Sequence, residues 1–202
     1  MATPIHSLTA RRQRRQGRAP NSAYRVREYL TPTEAEALIA AAGTVGRHPR
    51  RDRTLLLLMY RRALRVSEAI SLTWEQVDLE EGWLHLPRLK GGVTTAQPLS
   101  QAEQAALQAL RARYPISGYL FPSERAERLS RGAVNRIVSR AGEVAGLTLK
   151  VHPHMLRHGC GYALVNQGVD LRKIQMLMGH ARIESTIQYT TLDQERLKGI
   201  WD

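Results

Sequence analysis

A single cysteine, Cys160, stands in the 202 residues, so no internal disulfide can form and a four-thiolate zinc site is excluded. No apolar run is long enough to span a membrane or to serve as the core of a secretory signal, which predicts a chain that stays in the cytoplasm with no membrane partner. A Walker lysine loop is missing, as is any obvious cluster of acidic metal ligands, and no internal repeat occurs. Acids are the scarce charge: 18 Asp and Glu against 30 Lys and Arg give a formal net charge of +12. That excess predicts attraction to a polyanion, because neutralised phosphates release condensed counterions.

The charge is unevenly spread. Residues 1 to 30 carry seven arginines, including Arg11, Arg12, Arg14, Arg15 and Arg18, against the single acid Glu28, which is half of the net excess. Mixed Arg, Gln, Gly, Pro and Ser without periodicity cannot bury enough apolar surface to offset ordering of the backbone. Residues 1–29 therefore read as a basic, flexible arm that meets nucleic acid, and its Gln, Pro and Asn interruptions argue against an amphipathic transit peptide. A second cluster, Arg47, Arg50, Arg51 and Arg53, with Arg61 and Arg62, follows closely, and its first four members are candidate DNA contacts with the arm arginines. The remaining length, 30–202, suffices for one domain with a sizeable core.

Within that domain, Thr31-Pro32-Thr33-Glu34 reads as a capping box with proline at the first helical position. The run Leu55 to Met59 is too apolar for a surface helix and predicts a central one over about 50–64. Ser67 to Leu72 reads as a short helix, and Trp74 to Leu79 as a loop leading to a strand. Trp83 to Leu86 and Val93 to Gln97 are strand candidates joined through Lys90-Gly91-Gly92. Ser100-Gln101-Ala102-Glu103 opens another helix, 114–129 is mostly loop, and helices follow over about 131–145, from Pro153 towards Gly168, and from an Asp170 cap to Gly179. Short helices are expected over 183–189 and 192–198. The fold class is mainly α with a small antiparallel β-sheet.

His154 and Arg157 lie three apart on a predicted helix and so address one ligand from one face. Alone that pair is weak, as are Gly179-His180 and Tyr189. Together, Ala63-Leu64-Arg65-Val66-Ser67-Glu68, Leu89-Lys90-Gly91-Gly92, His154-Met155-Leu156-Arg157-His158, Met178-Gly179-His180 and Tyr189 occur in an order that resembles the tyrosine recombinases, the phage integrase family. The resemblance runs from about Leu30 to Tyr189. The short length, the Arg88-Leu89-Lys90 hairpin, the stretch from His152 to His158 and the terminal Gly199-Ile200-Trp201-Asp202 look similar to the short recombinases that invert fimbrial promoter segments.

The chemistry makes these residue types intelligible. Attack on a phosphodiester builds negative charge on nonbridging oxygens, which guanidiniums such as Arg65 and Arg157 stabilise with forked donors. A phenol with an ordinary pKa of about 10 needs help to lose its proton, and His154 is the candidate for that assistance. Lys90 is the candidate acid for the leaving 5′ oxygen, and His180 the hydrogen-bond donor to the phosphate. Glu68 matches an acidic position that orients its neighbours, and His158 is structural or a phosphate neighbour. The resemblance implies a 3′-phosphotyrosine at Tyr189, no ATP, cofactor or metal, and action in the bacterial nucleoid. It also implies a homotetramer assembled on two sites in double-stranded DNA for inversion, excision or integration.

Only the basic arm is read ahead of Thr31 in place of the family's separate helical DNA-binding domain, so either that arm substitutes weakly for it or accessory DNA-bending proteins help hold the site. Two other functions compete: a DNA-binding regulator that keeps the fold without recombining, and a strand-passage enzyme of the topoisomerase IB type. A metal site on His152, His154, His158 and Cys160 is disfavoured, because Cys160 points away from the face that His154 and His158 share. Cys160 between Gly159 and Gly161 reads instead as tight helix packing.

Overall fold

Local capping chemistry sets where the helices begin. In the computed structural model, which describes residues 27–87 and 94–190, Thr31 caps α1 (Pro32–Ala42) and Glu34 returns the bond to the Thr31 amide at 2.8 Å. Ser100 and Glu103 repeat that reciprocal box at α4 (Gln101–Arg113), where two otherwise orphaned amides gain partners. Ser130 caps α5 (Arg131–Val144), and Asp170 accepts from the Arg172 and Lys173 amides at the start of α7 (Leu171–Met178). Pro49 and Pro153 occupy the first turns of α2 (Pro49–Arg61) and α6 (Pro153–Asn166), where a missing N–H costs nothing.

The fold also holds α3 (Val66–Ile70), α8 (Glu184–Ile187) after α7, and a three-stranded antiparallel sheet in the order β1 (Val77–Asp78), β2 (Trp83–Leu86), β3 (Thr95–Pro98). Trp83 pairs with Pro98 and Leu86 with Thr95. The segment 74–79, expected as loop, holds a 3-10 turn over Trp74–Gln76 and the short edge strand β1. Gln76 receives the Thr73 amide at 2.8 Å, which closes that turn locally. Residues 88–93, including Lys90, and 191–202, with the helix expected over 192–198, lie outside the described residues, as do the arm arginines 11, 12, 14, 15 and 18.

Two apolar clusters organise the helices. The larger is built around Leu38, Leu55, Leu56, Leu58, Leu107, Val134, Val138 and Leu156, with α2 central among α1, α4 and α6 as its apolar run predicts. The smaller comprises Ala63, Cys160, Val165, Ile174, Met178 and Tyr189, and the site described below rests on it. Residues 27 to 29, expected as the end of the arm, pack onto the domain: Glu28 reaches His152 at 2.9 Å and Tyr29 meets Tyr162 at a centroid distance of 4.3 Å. Gly159 permits this approach, since a Cβ there would lie 2.5 Å from the Leu30 carbonyl oxygen. Among the described residues no helix is long and apolar enough to cross a membrane.

Candidate active site

Helix α6 supplies one wall. Its one-turn spacing places His154, Arg157, His158 and Tyr162 on neighbouring positions of one surface. Arg157 is 2% exposed; its guanidinium donates to the carbonyl of Ala63 and, at 2.9 Å, to that of Met178. The turn that follows α2 and the residue that ends α7 are thereby joined through one side chain.

Arg65 comes from the turn between α2 and α3. Its Nη1 donates to Glu68 Oε1 at 2.8 Å, and its amide donates to Glu68 Oε2 at 2.8 Å. The same carboxylate stands 3.9 Å from Arg157 Nη1. Buried Glu68 thus orients both guanidiniums, which lie close enough to address one anion.

The opposite wall is the corner after α7. Gly179 adopts φ +62, the left-handed conformation that glycine takes without a Cβ penalty. The chain turns there, so that His180 Nδ1 meets Thr186 Oγ1 at 2.9 Å. Tyr189 follows α8, is 2% exposed, and its ring lies parallel to the His180 ring at 8° and 6.4 Å. One face of the Tyr189 ring covers Gly161, where a Cβ would stand 2.9 Å from the ring carbons. Tyr162 approaches edge-on at 5.1 Å, and the Tyr189 hydroxyl shares a hydrogen bond with His158 Nδ1 at 3.0 Å.

Burial pushes the Tyr189 phenol up to about 12, against the pull of Arg157. Burial, reinforced by His154 and Arg157, pushes His158 down to about 4. His158 is therefore neutral at neutral pH, and with its proton on Nε2 it presents Nδ1 as an acceptor to the phenol. His154 sits at the exposed mouth, edge-to-face with His158 at 4.3 Å. Loss of hydration in the cleft, then the Arg157, His152 and Arg65 charges, lowers its pKa as well.

Arg65, Glu68, His154, Arg157, His158, His180 and Tyr189 thus converge. The side chain on the phenol is His158 rather than His154. Tyr162 was not anticipated, although its position four residues after His158 puts it on the same helix face and was the available signal. Thr186 and the carbonyls of Ala63 and Met178 left no mark in the sequence pattern. Of the nearer basic cluster, Arg50 and Arg53 are exposed, and Arg47 is exposed while paired with Glu124 at 2.6 Å. Arg51 departs from the DNA-contact expectation: it is 6% exposed and spends its guanidinium on Asp52 and the Pro122 carbonyl, which makes it part of the fold. His152 is turned to Glu28, and Cys160 lies in the smaller core, so neither joins His154 and His158 in a ligand set.

The profile of the Phage integrase family matches residues 28–196. The type 1 fimbriae regulatory protein FimB of Escherichia coli strain K12 is 41% identical over 181 residues, covering 87% of this chain and 90% of that protein. The tyrosine recombinase XerC of Pelotomaculum thermopropionicum is 34% identical over 194 residues, 91% of this chain but 63% of XerC. Among solved structures, the XerA recombinase superposes with a TM-score of 0.73 at 29% identity, over 84% of this chain and 62% of XerA. The XerH site-specific recombinase bound to its difH substrate also gives 0.73, at 25% identity, over 88% of this chain and 55% of XerH. The chain thus spans nearly the whole of FimB and less than two thirds of the Xer proteins.

Proposed function

The chain belongs to the phage integrase family, and we propose that it is a site-specific recombinase that cuts and rejoins double-stranded DNA through a phosphotyrosine at Tyr189. The observation that carries this reading is the single recess in which a buried phenol, a neutral imidazole and two guanidiniums meet. Relatives named as tyrosine recombinases, and a related structure described as bound to its DNA substrate, support it.

The scissile phosphate sits against Arg65, Arg157 and His180, with His154 at the mouth. His158 Nδ1 takes the proton from the Tyr189 hydroxyl as the phenol oxygen bonds to phosphorus. An arriving phosphate anion favours imidazolium formation, because negative charge nearby raises a histidine pKa. The bond from phosphorus to the 5′ oxygen breaks, and Lys90 donates a proton to that oxygen, leaving a 3′-phosphotyrosine and a free 5′ hydroxyl. Rejoining runs the same steps backwards with a new 5′ hydroxyl, so the bond energy is kept and no cofactor is consumed. The guanidiniums supply the largest share by meeting charge where it develops.

Two DNA sites held by four protomers complete the exchange, with accessory DNA-bending proteins and the basic arm holding the duplex, on the bacterial nucleoid in the cytoplasm. A nicked suicide substrate tests the chemistry: wild type accumulates covalent protein–DNA adduct and Tyr189→Phe gives none. Adduct formed by Tyr189→Phe at the wild-type level would remove Tyr189 from its assigned role.

A further inference from the structure

Tyr189 does not stand alone in its recess. Tyr162 meets it edge-on, with ring planes at 90° and centroids 5.1 Å apart, and Tyr29 packs on Tyr162 at 4.3 Å and 46°. Arg27 lies over the Tyr29 ring at 5.1 Å while its guanidinium is fixed to Glu34 at 2.5 Å, so the far end of the row is anchored to the first turn of α1. Leu30 donates to the Met155 carbonyl, and Gly159 lets that backbone lie flat against α6. The segment ahead of α1 therefore bears on the nucleophile through two aromatic rings.

The arrangement constrains one particular motion. Gly161 lies under one face of the Tyr189 ring, and the His180 ring runs parallel to it with centroids 6.4 Å apart. The close Gly161 backbone limits tilt toward that face. Tyr162, in T-shaped contact at 5.1 Å, and His158, on the hydroxyl, together restrict how far the phenol can shift. Aligned attack on phosphorus depends on such placement, since reacting atoms must be brought to near-contact in the right direction. Tyr162 is half-buried and Tyr29 lies beyond it, so neither touches the reacting atoms.

We propose that Tyr162 is a positioning residue for the Tyr189 nucleophile, and that Tyr29 acts through Tyr162 to fix it. The proposal rests on the reading of Tyr189 as the nucleophile, and it concerns the rings: among the described residues neither the Tyr29 nor the Tyr162 hydroxyl forms a hydrogen bond.

The test is single-turnover cleavage of a suicide duplex at saturating full-length protein, beside DNA affinity and thermal midpoint. Tyr162→Leu removes the ring and is expected to slow the saturated cleavage step about tenfold, the size of one lost edge-to-face contact, with DNA affinity unchanged. Tyr162→Phe keeps the ring and restores the rate. Tyr29→Leu slows cleavage less, and adding it to Tyr162→Leu causes no further loss, because its route to Tyr189 is already gone.

Equal rates for Tyr162→Leu and Tyr162→Phe overturn the proposal, as does an independent, additive Tyr29→Leu effect. If Tyr162→Leu melts below the assay temperature, Tyr29→Leu decides, since it leaves α6 intact and an unchanged rate refutes the coupling. Tyr189→Phe run alongside separates the two readings. Adduct surviving that change removes the nucleophile assignment and the proposal with it; adduct lost there but formed at full rate by Tyr162→Leu removes the positioning role alone.

Discussion

Arg62 and Arg157 are both buried, at 8% and 2% exposed, yet their surroundings differ in kind. Arg62 faces Glu103 with both ends of its fork, Nε to Oε1 at 2.9 Å and Nη2 to Oε2, and joins α2 to the capping box of α4. A full countercharge cancels the guanidinium's field at once. Arg157 is held by the carbonyls of Ala63 and Met178 and shares one carboxylate, Glu68, with Arg65, which stands closer to it. One carboxylate between two guanidiniums leaves a net positive charge, and carbonyl dipoles orient a cation without cancelling it. Burial of an arginine is therefore no guide to its role until its acceptors are named: one pair holds helices together, the other keeps positive potential where a phosphate can use it.

The largest expected effect lies on the Arg157 side. Arg157→Lys keeps the charge but loses the fork that spans two carbonyls, and suicide-substrate cleavage is expected to fall about 100- to 1,000-fold, the scale of losing one aligned transition-state donor. Arg62→Lys is expected to leave the cleavage rate per folded molecule at the wild-type level. Similar rate losses in the two variants would erase the distinction.

Stability should separate the pair in the opposite direction. Arg62→Ala strands the buried Glu103 carboxylate, and urea melts are expected to show a loss of about 3–5 kcal/mol. Combining Arg62→Met with Glu103→Leu should recover most of that loss, because the cost lies in the unpaired charge. A double variant no more stable than Arg62→Ala would show that the pair itself, not its completeness, is what α2 and α4 need.

Acid should find the Arg157 side first. His158 is pushed down to about 4 in the fold against about 6.5 when unfolded, so its contribution is complete above pH 6.5 and drains away as pH falls towards 4. Glu103 is also depressed: burial opposes this, but the Arg62 and Ser100 contacts outweigh it. Its contribution is present above about 4.5, the ordinary glutamate range, and is lost only at lower pH. His48, at the other end of α2, is also shifted down, by burial and then by Arg51, so acid costs stability there too. The informative measurement is thus the difference in thermal midpoint between wild type and His158→Gln across pH 7 to 5. It should narrow steadily with acid; a constant difference would show that His158 is not held neutral by the fold.

The same contrast explains what could be read in advance. Capping boxes at Thr31 and Ser100, the Asp170 cap and the Gly179 stop depend on residues three or four apart, and each was legible. The seven residues that converge were legible as a set because their order matched a family pattern. Which histidine meets Tyr189 was not: His154 and His158 are one turn apart, and the choice depends on the path of the chain through Gly179 and α8. Arg50, Arg51 and Arg53 look equivalent in sequence. Arg51 alone turns inward, because one of its acceptors is the carbonyl of Pro122, 71 residues away.

The smallest expected effect concerns the backbone under Arg157. Ala63 follows the end of α2 with φ 49, its amide bonded to Tyr60 O at 3.1 Å and the next amide, Leu64, to Met59 O at 3.0 Å. That double closure is a helix terminus which glycine usually fills, and it aims the Ala63 carbonyl at Arg157. Ala63→Gly should relieve about 1–2 kcal/mol of left-handed strain. It also frees the unfolded chain, at a cost of about 0.4–1 kcal/mol, and removes a buried methyl worth about 0.8 kcal/mol. These nearly cancel, so the change in unfolding free energy is expected to stay within about 1 kcal/mol of zero, with cleavage unchanged because the carbonyl is retained. A slower cleavage step in Ala63→Gly, at unchanged stability, would mean that the Ala63 methyl stiffens this carbonyl, and that neutral acceptors alone do not hold Arg157 in register.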